Sequence, residues 1–152
     1  MGEAQASSEI PEMPGSPLDG LTTLGLRAKN TLDLLAKVER GFSFTAFVRL
    51  QRAIDLPAQD LAAFVQIPAR TLLRRKAAGR LHADESDRLL RLSRLLERAI
   101  ELFEGDTEAA RNWLASPVKA LARHTPLDFA RTEAGAREVE SLIGRLEHGV
   151  YS

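Results

Sequence analysis

Arginine is the residue type whose spacing points to chemistry in this chain. Segment 60–79 reads DLAAFVQIPARTLLRRKAAG, with Arg70, Arg74, Arg75 and Lys76 in quick succession and Arg80 directly behind. Wound at 3.6 residues per turn, it gathers Ala69, Leu72, Leu73 and Ala77 on one side and Arg70, Thr71, Arg74 and Arg75 on the other. A row of guanidinium groups is a binding device: each can bond the two acceptors of a guanine edge or clamp phosphate oxygens. On this reading Arg70 and Arg74 meet bases, with Thr71 beside them, and Arg75, Lys76 and Arg80 meet phosphates. The competing reading is a solvated helix whose arginines pair with Asp55 and Asp60, and exposed pairs of that kind contribute little stability.

Residue types that would support catalysis lack an arrangement. His82, His124 and His148 are not at metal-ligand spacing, and there is no Cys to complete a site. No GxGxxG or P-loop occurs, and Gly135 and Gly144 form no phosphate cradle. No local pattern singles out a nucleophile. The expectation is a binding protein, not an enzyme, with no cofactor and no metal.

The elements that must position these arginines are helical. Leu and Ala supply most of the apolar residues, which make up 44% of the chain, and aromatics only 5%; such a composition favours helix over sheet. The expected class is all-α. The formal net charge of +0 hides an asymmetry. Segment 42–81 carries seven Lys/Arg against two acids, as a small DNA-binding module would. The absence of Cys suits a reducing compartment. No apolar run approaches the ~20 residues a membrane helix needs, and the polar N-terminus does not read as a signal peptide.

Residues 1–17, rich in Ser, Pro, Gly and Glu, read as a disordered tail. A helix is expected over 31–40, with Leu32, Leu35 and Val38 on its inner face and Gly41 as its stop. Ser43 can cap the next, carrying Phe44, Phe47, Val48 and Ile54. Pro57 and Pro68 start two short helices, which complete an N-terminal helical region at 18–81. A long helix at 83–104 has acids at its N-terminus, and Leu90, Leu95 and Leu102 widen its apolar stripe. It is therefore expected to be buried on several sides, in its own core or as a linking and dimerisation helix at 82–104. A small domain follows at 105–152. Ser116-Pro117 and Thr125-Pro126 both fit an N-cap followed by Pro at the first helical position, Trp113 reads as core, and Thr132 can cap a last helix that stops at Gly149.

Two stretches carry a family resemblance. Segment 60–79 looks like a helix-turn-helix: Leu61-Ala62 on the first helix, Gln66-Ile67 in the turn, Arg70-Thr71-Leu72 on the second helix. It departs from the common pattern in having Gln66 where Gly often stands, which demands a less usual backbone there. The C-terminal stretch resembles the toxin-binding domain of the Xre/MbcA/ParS antitoxins. The matching elements are Trp113-Leu114, Ser116-Pro117, Ala120-Leu121, Thr125-Pro126-Leu127, Thr132-Glu133-Gly135 and Gly144 through Tyr151. The resemblance implies an Xre-like helix-turn-helix followed by a helical toxin-binding domain, in a protein of the bacterial cytoplasm. Its implied partners are operator DNA and a RES-type toxin that consumes NAD; a homodimer is expected from the broad apolar surface of the 83–104 helix, and no membrane from the lack of a long apolar run. By position it assigns Arg145, Glu147, His148, Val150, Tyr151 and Ser152 to the occlusion of the toxin's NAD site. Read alone, the three residues after Gly149 would be a frayed chain end. The alternative function is a stand-alone helix-turn-helix regulator without a toxin.

Overall fold

The computed structural model describes residues 16–149. The expectations for residues 1–15, and for Val150, Tyr151 and Ser152, lie outside the described residues. Polar side chains one position ahead of apolar periodic runs start the helices, by accepting N–H groups of the first turn that have no partner within the helix. Asn30 accepts from Asp33, Ser43 from Thr45, Asp106 from Ala109, Thr125 from Asp128 and Thr132 from Gly135. These caps start five of the helices in the sequence α1 (Leu21–Leu24), α2 (Thr31–Arg40), α3 (Phe44–Ile54), α4 (Ala58–Phe64), α5 (Ala69–Ala78), α6 (Ala83–Leu102), α7 (Thr107–Leu114), α8 (Pro126–Phe129) and α9 (Glu133–Glu147). A 3-10 turn covers Lys119–Leu121. The described residues form no sheet; one isolated antiparallel bridge joins Ser43 to Arg80.

Helix α6 is the axis of the molecule. It packs against α1, α2 and α3 from the N-terminal side and against α7 and α9 from the C-terminal side. Leu89, Leu90, Leu92, Leu95, Leu96 and Ala99 are all buried. Of the residues expected to widen its apolar surface, Leu90 and Leu95 are covered within the chain, while Leu102 is only half-buried. The buried serines of α6 and a half-buried carboxylate hold neighbouring backbone. Ser86 accepts the Phe42 N–H at 2.8 Å, and Ser93 donates to the Gly20 carbonyl at 2.7 Å. Glu97 holds the start of α1, accepting from the N–H groups of Gly20 and Thr23 and from the Thr23 hydroxyl. Residues 16 and 17, assigned to the tail from sequence, belong to this frame, since the Pro17 carbonyl accepts from Arg94 at 2.6 Å.

Three local expectations are corrected. On α2 the inward residue is Leu34; Leu32 and Leu35 are 77% and 51% exposed, because the helix meets α6 along a different line. Ser116-Pro117 starts no α-helix: the Ser116 hydroxyl donates back to the Asn112 carbonyl at 2.5 Å, serving the end of α7 instead. Trp113 is only partly buried, its ring 6.4 Å from that of Phe103. Two glycines are dictated by space. A Cβ at Gly41 would overlap the Leu81 carbonyl where the chain adopts φ 85°, and one at Gly135 would overlap the Phe129 carbonyl. The second is where α9 crosses the end of α8.

Candidate functional site

The helix-turn-helix is α4, a tight turn and α5. Leu61, Ala62, Val65, Ile67 and Leu72 fill the space between the two helices and the body. Gln66 occupies the turn with φ 59°, a left-handed conformation that costs a non-glycine residue about 1–2 kcal/mol. Its side chain has a specific partner: Nε2 donates to the Arg131 carbonyl, between α8 and α9, at 2.7 Å. Arg88 on α6 holds the same turn, donating to the carbonyls of Val65 at 2.7 Å and Gln66 at 3.4 Å. Arg91, one turn further along, pairs with Glu133 at the start of α9 at 3.2 Å. The turn is thereby fastened to both α6 and the C-terminal helices. A groove of about 540 Å³ lies between it and Arg131.

The faces of α5 differ from the helical wheel at four positions: Ala69, Leu73 and Ala77 are exposed, and Arg75 is half-buried. Arg70, Arg74 and Lys76 are exposed, Thr71 is half-buried, and Arg74 donates to the Thr71 hydroxyl at 3.2 Å. Arg75 turns inward. Its Nε donates to Glu85 at 2.8 Å and its second nitrogen lies 3.0 Å from His82 Nδ1. Glu85 is only 5% exposed, and a carboxylate so buried requires a counter-charge. Burial raises the pKa of Glu85, but hydrogen bonds from Arg75 and from the His82 N–H outweigh it and hold the group below its ordinary value. The phosphate assignment of Arg75 therefore has a structural competitor. Leu73, expected inside, is 69% exposed, because Leu72 alone fills the contact beneath α5. Arg80 is exposed as a residue but donates to the Gly41 carbonyl at 2.5 Å, beside the Ser43–Arg80 bridge that clips the end of α5 to the start of α3.

At the other end of the molecule, α9 buries Ala136, Val139, Leu142 and Ile143 against α6. Arg145 is half-buried and donates to Ser141 at 3.3 Å. Glu147 accepts from Arg98 of α6 at 3.2 Å, and Arg98 is 8% exposed with its Nε lacking a hydrogen-bond partner. His148 ends the helix, exposed, and Gly149 follows at φ 70°. Glu101, near Arg98, is shifted upward by burial and by the neighbouring carboxylates of Glu147, Asp19 and Glu97, although Arg98 opposes the shift. Sequence reasoning missed Gln66–Arg131, Arg88, Arg91–Glu133 and Arg98–Glu147. These pairs join different helices, so no local spacing announces them.

Among the described residues no group of three or more His, Cys, Asp or Glu could hold a metal, and no helix is long and apolar enough to cross a membrane. Two family models match the chain. One, described as the antitoxin Xre-like helix-turn-helix domain, covers residues 33–94. The other, the antitoxin Xre/MbcA/ParS C-terminal toxin-binding domain, covers 98–149. The protein named Antitoxin Xre from Yersinia enterocolitica is 37% identical over 130 residues, spanning 85% of this chain and 88% of its own length. The protein of that name from Photorhabdus laumondii is 34% identical over 131 residues, spanning 86% and 88%. That from Pseudomonas putida is 29% identical over 119 residues, spanning 77% and 72%.

Proposed function

From the premise that this chain belongs to the Xre antitoxins, with a DNA-binding helix-turn-helix and a toxin-binding domain, we propose that its toxin is a RES-domain enzyme that consumes NAD. The segment from Arg145 to Ser152 occludes that toxin's active site, and α5 represses the operon by binding its operator, in the bacterial cytoplasm. The antitoxin itself catalyses nothing. The observation that carries this reading is the rigid root of the segment. Helix α9 is anchored by four buried side chains, and Arg98 pins Glu147 one residue before the C-cap His148. A segment delivered from a preformed helix can enter a concave site at little ordering cost.

On the DNA side, Arg70 and Arg74 bind bases with Thr71 beside them, and Lys76 and Arg80 bind phosphate; Arg75 supports α5 through Glu85. A homodimer presents two reading helices to inverted half-sites. Since most leucines of α6 are covered within the chain, the second copy docks on the exposed Leu32 and Leu35 of α2 as its apolar contact.

The test is co-expression with the product of the adjacent reading frame. A variant lacking residues 149–152 is expected to co-purify with that protein, because most affinity comes from the larger helical surface, yet to leave its NAD consumption active. A truncated complex that stays fully inhibited overturns the occlusion reading. Failure of the full-length pair to associate overturns the assignment of the partner.

A further inference from the structure

Three large apolar side chains stand well out in solvent among the described residues: Leu32, Leu35 and Leu73. Single exposed leucines are ordinary on a protein surface. The surroundings of Leu73 are what distinguish it. Leu72 is the buried residue of α5, and Arg75 turns in to Glu85. The opposite side of the helix is therefore centred on Arg70, Leu73, Arg74 and Ala77, which are all exposed. A leucine 69% exposed lies between the two arginines best placed to reach base edges.

We propose that Leu73 is a specificity-determining residue for the operator, its side chain packing on the 5-methyl group of a thymine in the major groove. The proposal rests on the operator-binding reading above and deepens it. The groove edge presents one apolar feature in its donor and acceptor pattern, the thymine methyl, and an aliphatic side chain is its natural complement. Charge selects this occupant over an apolar protein surface. Burying Leu73 against protein would also draw Arg70 and Arg74 out of water without counter-charge, whereas DNA phosphates supply that charge on both flanks. Shape agrees. The groove is roughly 12 Å wide and a helix with its side chains about 10–12 Å across, so approach to the floor needs small flanking residues. Ala69, Ala77 and Ala78 supply them. Arg74 donates to the Thr71 hydroxyl at 3.2 Å, a bond within its own helix that leaves the exposed Leu73 side chain unengaged by it.

The discriminating probe is DNA that differs only in the methyl group. The promoter fragment upstream of the protein's own reading frame is amplified once with thymine and once with uracil in its place, and binding is titrated at fixed salt. The wild-type protein should bind the uracil fragment more weakly, by about fourfold per thymine contacted, the equivalent of one buried methyl group. Leu73→Ala should bind the thymine fragment with a similar loss and no longer distinguish the two fragments, while Leu73→Met should keep the preference. The salt dependence of Leu73→Ala should match the wild type, because no phosphate contact is lost, whereas Lys76→Ala should lower the slope by about one. A merely structural role for Leu73 would not move the thymine-to-uracil ratio. If Leu73→Ala discriminates as well as the wild type, the methyl group is read elsewhere and the proposal falls. It falls too if Leu73→Ala changes the oligomeric state while the ratio survives, which would make Leu73 a contact between copies. If the wild type ignores the fragment altogether, the operator reading fails, and this assignment fails with it.

Discussion

Helices α5 and α9 are both amphipathic and basic in their last turn, yet the molecule treats them differently. Helix α5 buries one side chain, Leu72; α9 buries Ala136, Val139, Leu142 and Ile143. The first is held chiefly by its ends and by polar ties: the bridge at Arg80, the Arg75–Glu85 pair, and the turn fastened through Gln66 and Arg88. The second is held by its core. A helix fixed by its ends keeps a whole face free for a ligand. A helix fixed along its length gives a rigid point of departure at its terminus. The two surfaces attributed to DNA and toxin thus rest on different physical supports, and they should break under different mutations.

The largest effect should come from the core of α9. Ile143→Ala is expected to cost about 2–5 kcal/mol in urea unfolding, the usual range for a fully buried aliphatic truncation. Leu73→Ala on α5 should stay within about 0.5 kcal/mol of wild type, since its side chain is mostly solvated. If the two costs come out alike, the contrast between the helices is wrong.

Next comes the Arg98–Glu147 pair, which should be asymmetric. Glu147→Gln strands a guanidinium that is 8% exposed and should cost about 1–3 kcal/mol. Arg98→Met removes the buried charge and fills its space, and should be close to neutral. A larger loss in Arg98→Met than in Glu147→Gln would show that the charge, and not its desolvation, stabilises the end of α9.

A pH titration separates the two ends further. The folded pKa of Glu85 lies below its ordinary 4.5, so its contribution is complete above about pH 4.5 and is lost as the pH falls through the folded value. Acid should therefore weaken the α5 support, and Glu85→Gln should remove that part of the pH dependence. Glu101 is shifted the other way: stability falls as pH rises from about 4.5 through its raised value. Glu101→Gln should accordingly raise the melting temperature at neutral pH. No change there would remove the carboxylate cluster around Arg98 as a source of strain.

The smallest effect is at the turn. Gln66→Ala loses the bond to Arg131 but keeps φ at 59°, and should cost about 0.5–1.5 kcal/mol. Gln66→Gly loses the same bond and relieves the backbone, so it should be the more stable of the two by about 1 kcal/mol. The reverse order, by thermal melting, would mean that the turn relaxes without strain.

Much of the fold was legible locally. Thr125-Pro126, Thr132, Ser43, Gly41 and Gly149 start and stop helices where the sequence places them, because a cap needs only a side chain and N–H groups within the next three residues. The unusual backbone at Gln66 followed from the missing glycine in the same way. The basic character of 60–79 and the family-like C-terminal pattern also stood in the sequence alone.

What the sequence did not determine is which way each helix faces. A helical wheel put Leu73 inside with Leu72 and Arg75 outside with Arg70. The structure reverses both, because Glu85 arrives from another helix carrying a buried charge that Arg75 must neutralise. The apolar breadth of α6 was equally visible, but a stripe of leucines does not say whether its cover comes from α7 and α9 or from a second copy. Caps are settled by neighbours in sequence, where separation fixes distance. Burial and charge pairing are settled by neighbours in space, and for those the chain must first be folded.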